Sequence, residues 1–224
     1  MRLPHGAASF FCVAFFPRLW YNKTNILRGK SMKKLVIFAF EPFGGEAINP
    51  SLEILRLLPD VIGEYKIIKM SLPVVFSEGA EQAIRFVRSE GADAVICLGQ
   101  AGGRECITPE LVAINLRNAD IPDNKGNLPK DTPILEGGRE AYFSTLPVRK
   151  MTEAICSEGI ASKLSYSAGA YVCNDLYYSL LHSFHQSGVG VCFIHVPYSK
   201  EQGREPWVEL CDMTRAIVAA IGVI

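Results

Sequence analysis

Cys173 stands where a run of small residues, "SYSAGAYV", gives way to the apolar, helix-patterned "NDLYYSLLH". A helix starting there would turn its peptide dipoles and unpaired N–H groups toward the sulfur, favouring thiolate over thiol and offering donors for an oxyanion. The same residues equally suit a small hydrophobe packed under a helix start. A cysteine nucleophile needs a base, usually a histidine. Of the four histidines, His5 lies far upstream, and His182 sits about 13 Å from Cys173 along the same expected helix at 1.5 Å per residue. His185 is farther still. His195 remains, at the carboxyl end of "VCFIHVP", where a strand would deliver its side chain to a site, although a satisfied core or rim histidine has the same pattern. His182 and His185, three residues apart, read as a solvated helix face rather than as metal ligands.

Other chemistry-bearing motifs are weaker. The glycine-rich "GQAGGRE" at 99–105 lacks both the Gly-Lys-Ser/Thr ending of a phosphate loop and the spacing of a dinucleotide fingerprint. Seven cysteines stand at 12, 97, 106, 156, 173, 192 and 211. Their odd number and the lack of any C-x-x-C pair argue against a zinc or disulfide framework and for reduced thiols in the cytoplasm. With 23 basic and 23 acidic residues the formal charge is zero, which gives no electrostatic ground for a nucleic-acid or membrane partner.

The elements that must position these residues follow from periodicity. "KLVIFAF" (34–40), "YKIIKMSLPV", "DAVICLG" and "GVCFIHVP" are continuous apolar runs, as in strands buried on both faces. Between them, "NPSLEILRLLP" reads as a helix capped by Asn49 or Ser51 with Pro50 in its first turn, and "SEGAEQAIRFVRSEG" as an amphipathic helix ended by Gly91. Further expectations are a strand over "LVAINLR", an irregular excursion over 118–138 and a helix near 149–158. A strand near 163–168, the Cys173 helix and a last helix from about 205 complete the series. This alternation predicts a single three-layer α/β domain with a largely parallel mixed sheet flanked by helices, with functional groups at the carboxyl ends of the strands.

Residues 1–31 break this pattern. Their short apolar stretch is interrupted by Pro17 and Arg18 and lacks a cleavage motif, whereas "MKKLVIFAF" from Met32 reads as a start followed at once by a core strand. The expectation is a dispensable or mis-started extension (1–31) ahead of a catalytic domain (32–224).

Five segments, in order, resemble the pyroglutamyl peptidase I family of cysteine peptidases (pyrrolidone-carboxylate peptidases) across about residues 33–200. They are "FEPFGGEAINPS", "LGQAGGRECITPELVAINLRNADIPDNKGNLP", "GGREAYFSTLPV", "SYSAGAYVCNDLYYSLLH" and "FIHVPY". The resemblance implies a Cys-His-Glu triad of Cys173, His195 and Glu110, the last in "ITPE". Residue chemistry alone does not select Glu110 from among Glu41, Glu105, Glu110 and Asp120. It further implies removal of N-terminal pyroglutamate (5-oxoproline) from peptides through a thioester, with no metal or cofactor, by a homo-oligomer, either a tetramer or a dimer.

The substrate ring carries no ammonium group, so the pocket should have apolar walls and a few lactam hydrogen bonds. By resemblance, Phe40 and Phe43 flank the ring, Tyr171 or Val172 closes the pocket, and backbone near Gln100 meets the lactam N–H. Plain core packing is the other reading of the two phenylalanines. Three positions depart from the family pattern: Asp120 and Leu111 stand where relatives often have Arg, and Tyr171 where they have Phe. A carboxylate at Asp120 close to an oxyanion would oppose catalysis, with Arg104 or Arg117 as candidates to compensate. The rival reading is a catalytically silent relative that binds pyroglutamyl or similar lactam ligands.

Overall fold

Apolar runs with little alternation become central strands, and the chain reads as a series of such strands with helices between them. In the computed structural model, which describes residues 31–224, the order is β1 (Lys33–Phe40), α1 (Pro50–Leu57), β2 (Val61–Ile62), β3 (Tyr65–Leu72), α2 (Glu78–Glu90), β4 (Ala94–Gln100), β5 (Thr108–Glu110) and β6 (Val112–Ile114). There follow β7 (Ala141–Phe143), α3 (Val148–Ser157), α4 (Val172–Phe184), β8 (Gly190–Val196), β9 (Tyr198–Ser199), β10 (Trp207–Val208) and α5 (Leu210–Ile221). The extension expected over 1–31 lies, but for Ser31, outside the described residues.

Six strands form one sheet in the order β2-β3-β1-β4-β8-β5. Its four central strands are parallel, and the short edge strands β2 and β5 run antiparallel to their neighbours. Strand residues alternate between two cores. Leu35, Ile37, Ile96, Leu98, Cys192 and Ile194 pack with α1, α3 and α5. Val36, Phe38, Val95, Cys97, Val191 and Phe193 pack with α2 and α4 on the opposite face. Burial on both faces is why the middles of these strands are apolar in succession rather than at every second position. Asn49 caps α1 by accepting from Ser51 N at 3.1 Å, with Pro50 as its first helical residue, and Gly91 ends α2 in the left-handed conformation at φ 61°.

Three expected elements differ. Only Val112–Ile114 of "LVAINLR" is a strand, paired with β7 in a separate hairpin-like sheet. No strand covers 163–168; Ser162 and Ser165 make isolated bridges to Ile107 and Glu110. Ile107 N donates to Ala161 O, Lys163 N to Ile107 O, Ser165 N to Pro109 O and Leu111 N to Ser165 O. The next link in that series would be an N–H from residue 109, which is proline and has none, so the ladder breaks. The last helix starts at Leu210 rather than near 205, because Trp207–Val208 pair with Tyr198–Ser199 as a short strand.

The 118–138 excursion has no helix or strand, as expected, yet it is tied down. Buried Asp123 accepts hydrogen bonds from the N–H groups of Phe76, Lys125 and Asn127 and from Asn127 Nδ2. Asn124 donates to Val74 O and Pro42 O. A polar loop thus holds two apolar segments, 42–43 and 74–76, in fixed positions. Among the described residues no helix is long and apolar enough to cross a membrane.

Candidate active site

The carboxyl ends of β4 and β8, the edge strand β5 and the start of α4 converge on one place. Register decides which side chains face it. Gly99 pairs with His195 across β4–β8, while Thr108 pairs with His195 and Glu110 with Phe193 across β5–β8. Neighbouring pairs put Phe193, His195, Thr108 and Glu110 on the face covered by α4. There His195 Nδ1 meets Glu110 Oε1 at 2.7 Å, with His195 3% and Glu110 0% exposed. An ionised carboxylate only accepts, so Nδ1 is the donor and Nε2 is the basic nitrogen left for other work. The Phe193 ring packs on the imidazole with centroids 4.6 Å apart.

Cys173 is the second residue of α4, and Tyr171 before the helix supplies no side-chain cap to its first N–H groups. Those groups are the donors an oxyanion would use. The helix start is pinned by Asn174, which accepts from Ile114 N at 3.0 Å and donates to Ile114 O and Leu116 O. The sulfur rests against Gly99: a Cβ there would stand 3.0 Å from Cys173 Sγ and 2.7 Å from the Phe193 ring. Only glycine leaves room for the thiol over the strand end. Cys173 therefore lies at the Gly99–His195 pair, on the same face as Glu110.

Electrostatics modify the expectation of a ready thiolate. Burial pushes the Cys173 thiol up to about 12, and the nearby Glu110 charge adds to the rise, while Arg104 and the Cys173 backbone N–H pull it down. Burial also lowers the His195 imidazole, against the raising effect of Glu110. Burial and the Glu110 charge thus work against the helix start at Cys173, and burial works against Glu110 at His195. Burial works to raise Glu110, yet the hydrogen bond and charge of His195, helped by the charge of Arg104, hold it below its usual value. Glu110 Oε2 accepts no hydrogen bond; the Ser165 hydroxyl donates instead to Ser167 O.

The residues expected around the substrate ring separate into two groups. Phe40 and Val172 are buried in the core beside α4, with Phe40 6.5 Å from the Phe193 ring. For Phe40 this is the core packing that was its other reading. Val172, 1% exposed, belongs to the same core, so of the two candidates to close the pocket Tyr171 is the one left partly open. Phe43 is also partly exposed and lies 6.3 Å from Tyr171. Phe76, unnoticed in the sequence, makes an edge contact with Tyr171 at 5.3 Å, and the Tyr171 hydroxyl donates to Pro122 O. The Gln100 side chain accepts from Gln202 Nε2 at 2.9 Å.

Asp120 does not approach the site. Its side chain is 98% exposed and pairs with Lys130 at 3.1 Å, so the expected conflict with an oxyanion does not arise. Leu111 packs against the core on the α3 and α5 side. Arg117 is committed elsewhere, to Asp175 at 2.6 Å and Ser77 Oγ at 2.9 Å. Arg104, by contrast, reaches Glu110 Oε1 at 2.6 Å. His182 and His185 bond Tyr142 and Arg139 on the exposed side of α4.

A family model described as pyroglutamyl peptidase matches residues 33–223. The chain is 45% identical over 197 residues to pyrrolidone-carboxylate peptidase 1 of Caldanaerobacter subterraneus subsp. tengcongensis, covering 85% of this chain and 97% of that one. It is also 45% identical over 197 residues to the pyrrolidone-carboxylate peptidase of Staphylococcus carnosus, covering 85% and 92%. The crystal structure of Bacillus amyloliquefaciens pyroglutamyl peptidase I superposes with a TM-score of 0.82 at 40% identity, over 85% of this chain and 96% of that one.

Proposed function

This chain belongs to the pyroglutamyl peptidase family and is a pyroglutamyl peptidase I that removes N-terminal pyroglutamate from peptides; from that premise we propose that Cys173, His195 and Glu110 carry the reaction. The observation that supports this most is the buried 2.7 Å contact between His195 Nδ1 and Glu110 Oε1, on the sheet face where Cys173 Sγ rests against Gly99.

The Cys173 thiol gives up its proton as attack begins. His195 Nε2 takes it while sulfur bonds to the pyroglutamyl carbonyl carbon, and the first N–H groups of α4 receive the oxyanion. The C–N bond then breaks as the imidazolium returns the proton to the leaving amine, giving a thioester and the shortened peptide. Water, deprotonated by His195, attacks the thioester. The C–S bond breaks, pyroglutamate leaves, and the thiol regains its proton. Glu110 fixes the ring tautomer and supports the transient imidazolium charge.

Phe43 and Tyr171 form the open walls of the ring pocket, Phe40 and Val172 support it from the core, and backbone near Gln100 meets the lactam N–H. The rival of a silent lactam binder drew its support from Asp120, which points to solvent.

The triad gives a graded result in pyroglutamyl-arylamide hydrolysis. His195→Ala loses both proton transfers and falls to near background. Glu110→Gln keeps the base but loses its charge support, and drops on the order of a hundredfold in kcat. Wild-type rates in Glu110→Gln would assign the positioning of His195 to another group.

The domain spanning 32–224 carries this activity as a cytoplasmic homo-oligomer. In support, Cys97, Cys106, Cys156, Cys173 and Cys192 are free thiols, and Phe143 and Tyr166 are large apolar side chains left 67% and 64% exposed. A chain beginning at Met32 is expected to match the full-length protein in Tm, oligomer size and arylamidase rate. A large loss in the shorter chain would make the first 31 residues part of the working fold.

A further inference from the structure

Glu110 Oε1 receives two donors, His195 Nδ1 at 2.7 Å and Arg104 Nη1 at 2.6 Å, while its other oxygen receives none. Arg104 is also bound to Thr108 Oγ1 and, through Nη2, to Ser167 O at 3.3 Å. Its guanidinium is thus held from two sides, β5 and the segment leading to α4, and its backbone lies in the turn after β4. That turn is itself held. Gly102 lies so close to the Tyr198 ring that no side chain fits there. Ala101 N donates to Val196 O at 2.9 Å, and Gln100 accepts from Gln202.

We propose that Arg104 is a positioning residue of the reaction: clamped on Glu110 Oε1, it fixes the carboxylate against His195 and stabilises the negative charge that forms on Cys173 Sγ. This rests on the triad reading above and adds to it a fixed positive charge. The titratable groups that interact with Cys173 or Glu110 come from every neighbouring element. Cys173 feels Glu110 on β5 and Arg104 after β4, Glu110 feels His195 on β8 and Arg104, and Cys97 on β4, Tyr171 before α4 and Tyr177 on α4 feel Cys173 or Glu110 in turn. Of these only Arg104 carries a permanent positive charge. Its charge acts downward on Cys173, Glu110 and His195 alike, in line with its direct contact to Glu110 Oε1. Arg104 bonds Glu110, Thr108 and Ser167 rather than Phe43 or Tyr171, so its loss is expected on kcat rather than on KM.

The test is the rate of Cys173 alkylation by iodoacetamide across pH, alongside arylamide kinetics, in the full-length protein. Arg104→Gln should slow alkylation about tenfold at neutral pH and move its pH midpoint up by about one unit, the effect of one lost neighbouring charge. Its kcat should fall with KM little changed. Arg104→Lys keeps the charge and should recover most of the midpoint shift, though not the two-sided grip of a guanidinium. Thr108→Val, which removes one anchor and keeps Arg104, should move the midpoint the same way by less, and carries the test if Arg104→Gln does not fold. Glu110→Gln is the control for the underlying triad. If the profile moves in Glu110→Gln but neither in Arg104→Gln nor in Thr108→Val, the proposal for Arg104 is overturned. A Lys variant that behaves like the Gln variant overturns it as well. If Glu110→Gln and His195→Ala leave the profile unmoved, the triad reading itself falls.

Discussion

Cys173→Ala is expected to lose pyroglutamyl-arylamide hydrolysis by a factor on the order of 10⁴ or more, the scale seen when a covalent nucleophile is deleted from a working triad. The reason is positional as well as chemical. Cys97 and Cys192 are fully buried in strands, where burial raises both thiols and no substrate can reach. Cys156 on α3, and Cys211, second residue of the likewise uncapped α5, belong to the layer on the opposite face of the sheet. Cys173 alone among the described thiols sits at an uncapped helix start against the strand end that carries His195's partner Gly99. Alanine fits that space, so the variant should fold and still bind the product. The other cysteines, changed singly to Ala or Ser, should leave measurable turnover. Near-wild-type rates in Cys173→Ala would end the covalent mechanism.

Prolyl arylamides should be poorer than pyroglutamyl arylamides by at least about a thousandfold in kcat/KM. The two rings are close in size, so shape alone does not separate them. Proline brings a secondary ammonium, and the ring pocket proposed between Phe43 and Tyr171 is walled by aromatic side chains. Asp123, a carboxylate whose charge reaches Tyr171, already accepts four hydrogen bonds from its own loop and from Phe76. An unpaired buried charge costs several kcal/mol even after relaxation, and about 4 kcal/mol corresponds to a thousandfold. Comparable values for the two substrates would show that the pocket does not exclude charge.

The layered fold was legible because its signal is local: β1, β4 and β8 are apolar through their middles on both faces, and the caps of α1 and α2 are written in Asn49, Pro50 and Gly91. Cys173 and His195 were legible as candidates for the same reason, each lying at the end of a strong element. Glu110 was not. Its place depends on the register of a three-residue edge strand pairing with residues 85 positions away, and nothing in "ITPE" announces that pairing. Resemblance, rather than residue chemistry, singled it out. The segment 163–168 was misread because the missing donor belongs to Pro109, in another part of the chain. Asp120 looked threatening only while its direction was unknown. Phe76 carries no motif at all and becomes visible only when Asp123 ties its backbone beside Tyr171.

The alternation along β8 also governs how this site can change over time. Cys192, Ile194 and Val196 face one core, and Phe193 and His195 the other. Substitutions of similar volume on the first set leave the histidine where it is, so that set is free to drift. A deletion or insertion of one residue within the strand is another matter, because it exchanges the two sets, sending His195 into the layer of α3 and α5 and an aliphatic side chain to Glu110. Only changes of two residues keep the alternation, and those shift the histidine about 7 Å along the strand. Lineages descended from this protein can therefore vary β8 in composition but not in length.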